Sequence, residues 1–124
     1  MEKILCVDDD DNLLLLYQEE LSEEGYKVIL AKDGKEALAK FAKEKPQVVV
    51  MDIRMPVMDG IEVLTAILGK DRQIPVILNT AYPQYRENFM TWGAEAFVIK
   101  SSDLTELKQK IREVLEKRKK LIKS

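Results

Sequence analysis

Four short, almost purely apolar runs punctuate this chain: Ile4–Val7, Val48–Met51, Pro75–Leu78 and Ala96–Ile99. Each is closed by a polar residue: Asp8, Asp52, Asn79-Thr80 and Lys100 respectively. A strand with one wet face alternates apolar and polar side chains, whereas a strand covered on both faces does not. Continuous runs therefore predict a sheet buried on both sides. A fifth β-rich stretch runs from Tyr26 to Ala31.

Helical spacing fills the intervals. Leu13, Leu16, Tyr17 and Leu21 recur over Asn12 to Glu24, which Gly25 ends. Asp33 with Glu36 opens a second helix whose stripe is Ala37, Leu38, Phe41 and Ala42, and Pro46 stops it. A third carries Ile61, Val63, Leu64 and Ile67. A fourth, weaker one is predicted from about Gln84 to Trp92, closed by Gly93. The last follows Asp103-Leu104-Thr105-Glu106 and turns Leu107, Ile111, Val114 and Leu115 inward. Alternating strands and helices predict an α/β fold. Right-handed crossovers narrow it to a doubly wound five-stranded parallel sheet, order 2-1-3-4-5, the flavodoxin-like (βα)5 arrangement.

At 124 residues this is one domain, residues 1–124, with a core over about 3–118 and a basic tail at 119–124. The net charge of -2 gives no general attraction to nucleic acid or anionic membrane. Cys6 has no partner for an internal disulfide and sits in an apolar run, so a buried, inert thiol is expected. No apolar run is long enough for membrane insertion and no signal peptide is visible, so a cytoplasmic location is expected. The chain has no histidine, which removes His metal sites, His general bases and triads.

In a doubly wound sheet, function collects beyond the C-terminal strand ends, at the switch in strand order. The first strand delivers Asp8, Asp9 and Asp10 there, the third Asp52, the fourth Thr80 and the fifth Lys100. Three carboxylates in one small site suit a hard, oxygen-seeking divalent cation such as Mg²⁺, with Mn²⁺ as the alternative. Beside a cation, Asp52 is placed as a nucleophile toward phosphorus. Lys100 would stabilise the transferred group and Thr80 would hydrogen-bond it, since phosphoryl transfer asks mainly for positioning and charge. Other readings stay open for single residues. Asp8 and Asp9 alone would suit a helix start; Asp10, Asp11, Asp33 and Asp59 read as caps or first-turn residues. Met51, Met55 and Met58 read as packing, and Trp92 as partly exposed.

The motifs VDDD, MDIRMPVMDG, NTA and VIK stand in this order across nearly the whole chain. On them the sequence resembles the receiver domains of two-component response regulators, and most of all free-standing receivers of the chemotaxis or sporulation-relay type. The resemblance implies that Asp52 is the phosphoacceptor. Asp9 would bind the metal directly, Asp8 directly or through water, with the backbone carbonyl of Arg54 as a further ligand. Thr80 would be the switch hydroxyl, Lys100 the phosphate-binding lysine and Phe97 the switch aromatic. Implied partners are a sensor histidine kinase or a histidine phosphotransfer protein, and a downstream protein that reads the face of the fourth helix, fifth strand and fifth helix. No direct nucleic-acid contact is implied, and the state is monomer or phosphorylation-dependent dimer. The chain would be no enzyme beyond catalysing its own phosphorylation and dephosphorylation.

One position departs from the family. Where a proline usually follows the lysine, often through a cis bond, this chain has Ser101. A cis bond before serine costs about 2.5–4 kcal/mol, so the bond is expected trans, or cis and strained. That departure keeps an alternative alive: a phosphate-independent interaction module of the same fold. An enzyme or cofactor carrier on this fold is weaker, because GxGxxG and P-loop motifs are missing. Arg54 and Tyr82, two residues beyond Asp52 and Thr80, are expected to border the phosphate and to shield it from water.

Overall fold

The computed structural model describes residues 1–56 and 58–123. Val57 of the Pro/Gly loop, Ser124 of the basic tail and the side chains of residues 121–123 lie outside that description. Five strands, β1 (Lys3–Val7), β2 (Lys27–Ala31), β3 (Val48–Met51), β4 (Val76–Thr80) and β5 (Ala96–Ile99), form one sheet. All neighbours are parallel, in the order β2-β1-β3-β4-β5. Four α-helices join them: α1 (Asp11–Glu23), α2 (Gly34–Glu44), α3 (Gly60–Lys70) and α4 (Thr105–Lys123). No described helix is long and apolar enough to cross a membrane.

The sheet divides the core in two. Leu5, Val7, Val49, Met51, Val76, Leu78 and Phe97 face α2 and α3, packing on Phe41, Val63, Leu64 and Ile67. Ile4, Cys6, Val48, Val50, Ile77 and Val98 face α1 and α4, against Leu14, Tyr17, Leu21, Leu107 and Ile111. Burial on both sides is why the strands read as continuous apolar runs.

The helix ends follow the expected chemistry. Asp10 caps α1, its side chain accepting from the N–H groups of Asn12 and Leu13. Asp33 and Asp59 cap α2 and α3, accepting from the Glu36 and Glu62 N–H. The expected capping box is half made, because the Glu36 carboxylate pairs with Lys40 at 3.0 Å. The basic end continues α4 to Lys123.

The fourth helix expected over Gln84 to Trp92 does not form. Pro83–Tyr85 is one 3₁₀ turn, followed by irregular turns to Gly93. Its backbone bonds are largely of the tighter kind, Arg86 N to Pro83 O and Asn88 N to Tyr85 O, both 3.0 Å. The composition explains this, since Tyr85, Asn88, Phe89, Thr91 and Trp92 are all indifferent helix formers. Their aromatic rings are anchored to the core instead: Tyr85, Phe89 and Trp92 pack on the cluster around Phe97.

The loop after β3 is stitched to the start of α3. The Gly60 N–H donates to Ile53 O at 2.6 Å. A Cβ at Gly60 would lie 2.2 Å from the Asp52 carbonyl oxygen and 2.8 Å from Ile53 Cα. Both obstacles are backbone and cannot rotate away. Gly60→Ala is therefore expected to lower stability by about 1–3 kcal/mol, the usual cost of overpacking. Urea unfolding checks this: the midpoint falls while the slope is unchanged.

Candidate functional site

The register builds the site. Val7 pairs with Met51, and Met51 with Leu78. One step further along each strand come Asp8, Asp52 and Asn79, so these three stand side by side beyond the last apolar row. The ladder continues far enough to hold them: the Asp8 N–H donates to Ala31 O at 3.1 Å and the Asp52 N–H to Val7 O at 3.2 Å. Adjacent strands lie ~4.8 Å apart, so carboxylates in one row are unavoidable neighbours.

Lys100, just past β5, reaches across to them. Its Nζ lies 2.8 Å from Asp8 Oδ2 and 2.8 Å from Asp52 Oδ2. Asp8 Oδ1 accepts from the Asp10 N–H at 2.9 Å, and Asp52 Oδ1 from the Ile53 N–H at 2.7 Å. Among the described residues Asp8 Oδ2 has no donor beyond the lysine ion pair. Asp8 and Asp52 are buried, while Asp9 is exposed at the rim. One carboxylate oxygen from each of Asp8, Asp9 and Asp52 falls within 4.8 Å of the others.

Burial pushes the Asp8 carboxyl above its ordinary range; the Lys100 pair and the Asp10 N–H draw it back without cancelling the effect, and the Asp52 charge adds to it. Burial weakens the Lys100 ammonium, but its bonds to Asp52 and Asp8 outweigh that and leave its pKa raised. Burial, with the Asp8 charge, raises the Cys6 thiol far enough to make it inert.

The donor set fits a hard divalent cation. Three clustered carboxylates offer oxygen alone, with no soft ligand among them, which is the chemistry Mg²⁺ prefers. Asp10 and Asp11 stay out of the cluster, at the start of α1.

The remaining expected residues sit on β4, on β5 and in the loops after β3 and β5. Thr80 is wholly buried at the end of β4, and its hydroxyl accepts from the Tyr82 N–H at 3.4 Å. Phe97 is buried, 5.8 Å from the Phe89 ring centre, with the Arg86 guanidinium 5.1 Å above it. Arg54 is exposed. Its guanidinium stacks 4.1 Å from the Tyr82 ring centre and bonds the Tyr85 hydroxyl at 3.3 Å. The described peptide bonds, Lys100–Ser101 among them, are all trans, and Lys100 nonetheless reaches both acids. The Ser101 hydroxyl accepts from the Asp103 N–H at 3.0 Å.

One buried polar pair went unread in the sequence. Asn79 donates its amide to the Tyr17 hydroxyl, and both side chains are buried. An asparagine ending an otherwise apolar strand was the available signal, because asparagine is depleted in strands and rarely buried without a partner.

Removing the Lys100 ammonium leaves two buried carboxylates facing each other. Lys100→Met is expected to cost about 2–4 kcal/mol, reduced from a fully buried pair because the lysine side chain is 23% exposed. A carboxyl whose folded pKa is raised favours folding most when protonated, so stability rises as pH falls through that value. The deficit should thus be largest at neutral pH and shrink on acidification, which denaturant titrations at several pH values would show.

Comparison with known proteins agrees with this geometry. Residues 4–112 match the family model for the response regulator receiver domain. The "Probable transcriptional regulator ycf27" of Guillardia theta is 40% identical over 116 residues, covering 92% of this chain and 45% of that protein. The chain spans about half the length of such curated relatives. The crystal structure of the response regulator TrrA from Thermotoga maritima in complex with Mg(2+)-BeF superposes with a TM-score of 0.86 at 42% identity, covering 92% of this chain and 99% of that one. TrrA in complex with the histidine kinase ThkA matches at 43% identity and a TM-score of 0.85, over 93% of this chain and 99% of that one. The chain belongs to the response regulator receiver domains of two-component systems.

Proposed function

We propose that this receiver accepts a phosphoryl group on Asp52 from a phosphohistidine of a sensor kinase or phosphotransfer protein, in a reaction that needs Mg²⁺, with Mn²⁺ as a substitute. The observation that carries this is the Lys100 ammonium held 2.8 Å from both Asp8 and Asp52, beside a third carboxylate. Asp8, Asp9, Asp52 and the Arg54 carbonyl would hold the metal, which supplies positive charge to the phosphoryl oxygens. Asp52 attacks phosphorus, and the phosphohistidine nitrogen leaves with the P–N bonding pair. Lys100 neutralises charge on the transferred group, and the buried Thr80 hydroxyl hydrogen-bonds one of its oxygens. The absence of histidine agrees with a donor supplied by another molecule. The chain is then a phosphoacceptor that catalyses only its own phosphorylation and dephosphorylation.

The output follows from Thr80 and Phe97. Drawing the Thr80 hydroxyl toward the phosphoryl group vacates space that Phe97 can fill, and Phe97 packs on Phe89 and under Arg86. The surface so changed is the turn segment 83–92 with β5 and α4, in place of the helix-based face expected from sequence. A downstream protein in the cytoplasm would read it.

Intact mass after incubation with acetyl phosphate tests the acceptor. Wild type should gain one phosphoryl group only with Mg²⁺, and Asp52→Asn none; a wild type inert under all conditions overturns the reading. Arg54, stacked on Tyr82 and tied to Tyr85, would shield the acyl phosphate from water. Arg54→Ala combined with Tyr82→Ala should shorten the acyl phosphate's half-life by about tenfold, the effect of roughly 1.4 kcal/mol on a barrier. Loss of label from purified phosphoprotein measures it, and an unchanged half-life excludes the shield.

A further inference from the structure

We propose that Tyr17 is a positioning residue for Asp52, acting through Asn79; this rests on the reading of Asp52 as phosphoacceptor. Asn79 follows Leu78, which pairs with Met51, so Asn79 stands beside Asp52 in the sheet, on the face turned to α1. It is 2% exposed, and Tyr17, 1% exposed, projects from α1 to meet it. The Asn79 amide donates to the Tyr17 hydroxyl, and its Oδ1 has no partner among the described residues. Burial raises the pKa of the Tyr17 hydroxyl, and the nearby Asp8 and Asp52 carboxylates add to the effect, so the hydroxyl stays protonated.

A buried amide next to a buried carboxylate has an obvious alternative. It can donate to the carboxylate, because charge-assisted hydrogen bonds are stronger than neutral ones. Among the described residues the Asp52 carboxylate has two partners, the Ile53 N–H and Lys100, so its oxygens still have lone pairs to offer. An amide bonded there would lower the basicity of the nucleophile and occupy oxygen otherwise open to a cation. By engaging the amide, the Tyr17 hydroxyl keeps Asn79 off Asp52. A neutral strand-end polar group is thereby made harmless to the site it adjoins.

The test separates this from mere packing by rescue. In Tyr17→Phe the amide is released, and phosphorylation by acetyl phosphate should slow about three- to tenfold, with Mg²⁺ affinity reduced by a similar factor, the scale of one hydrogen bond. In Tyr17→Phe with Asn79→Leu no amide remains to turn, and both quantities should return to wild-type values. If the pair served only stability, any loss in Tyr17→Phe would track its unfolding free energy. Wild-type behaviour of Tyr17→Phe, or no recovery in the double variant, overturns the proposal. Failure of wild type itself to take up a phosphoryl group would instead count against the phosphoacceptor reading. The side-chain amide resonances of Asn79 decide the inference without phosphorylation. They should respond to Asp52→Asn in the Tyr17→Phe background and stay unmoved by it in wild type; the same response in both overturns the proposal.

Discussion

Two carboxylates at the ends of adjacent parallel strands cannot be moved apart without breaking the sheet. Asp8 and Asp52 continue the paired rows of β1 and β3, so their separation is set by strand spacing. Both are buried, and two buried like charges demand a cation. Lys100 supplies one, anchored by β5 on the far side of β4. The ion pairs tie together three strands of the sheet.

Around that row the protein keeps the neighbouring polar groups engaged. The Asp8 and Asp52 oxygens that do not face Lys100 take backbone N–H groups. The Thr80 hydroxyl accepts from a backbone N–H, and Asn79 is held by Tyr17. Arg54 is drawn aside onto Tyr82 and Tyr85 and so does not compete with Lys100 for the acids. Gly60, pressed against the Asp52 carbonyl, holds the loop close to α3. The site is thus positioned from several elements, while residues 83–92 have little regular backbone of their own.

Much of this was legible beforehand because burial on both faces leaves an unmistakable mark. β3 and β5 matched their expected limits, and the caps at Asp10, Asp33 and Asp59 formed. The helix expected over Gln84 to Trp92 failed for a reason periodicity cannot see. Its apolar residues are aromatic and mediocre helix formers, so contacts with Phe97 and its neighbours outweighed a weak local preference. The partner of Asn79 was equally hidden. A strand-end asparagine signals that a partner exists but not that it lies 62 positions away on α1.

What the sequence determined alone is the sheet, its burial on both faces and the set of polar residues closing each strand. Those follow from local pattern: apolar runs of strand length, turn residues and helix caps. Only the tertiary structure decided which of those polar groups touch. Lys100 was free to point to solvent through the loop that lacks the usual proline, and it instead bridges Asp8 and Asp52 through a trans bond. Arg54 chose the tyrosines over the acids, and Asn79 found Tyr17. Each outcome is a competition among partners brought near by strand register and helix packing, and such competitions have no local signature in a chain.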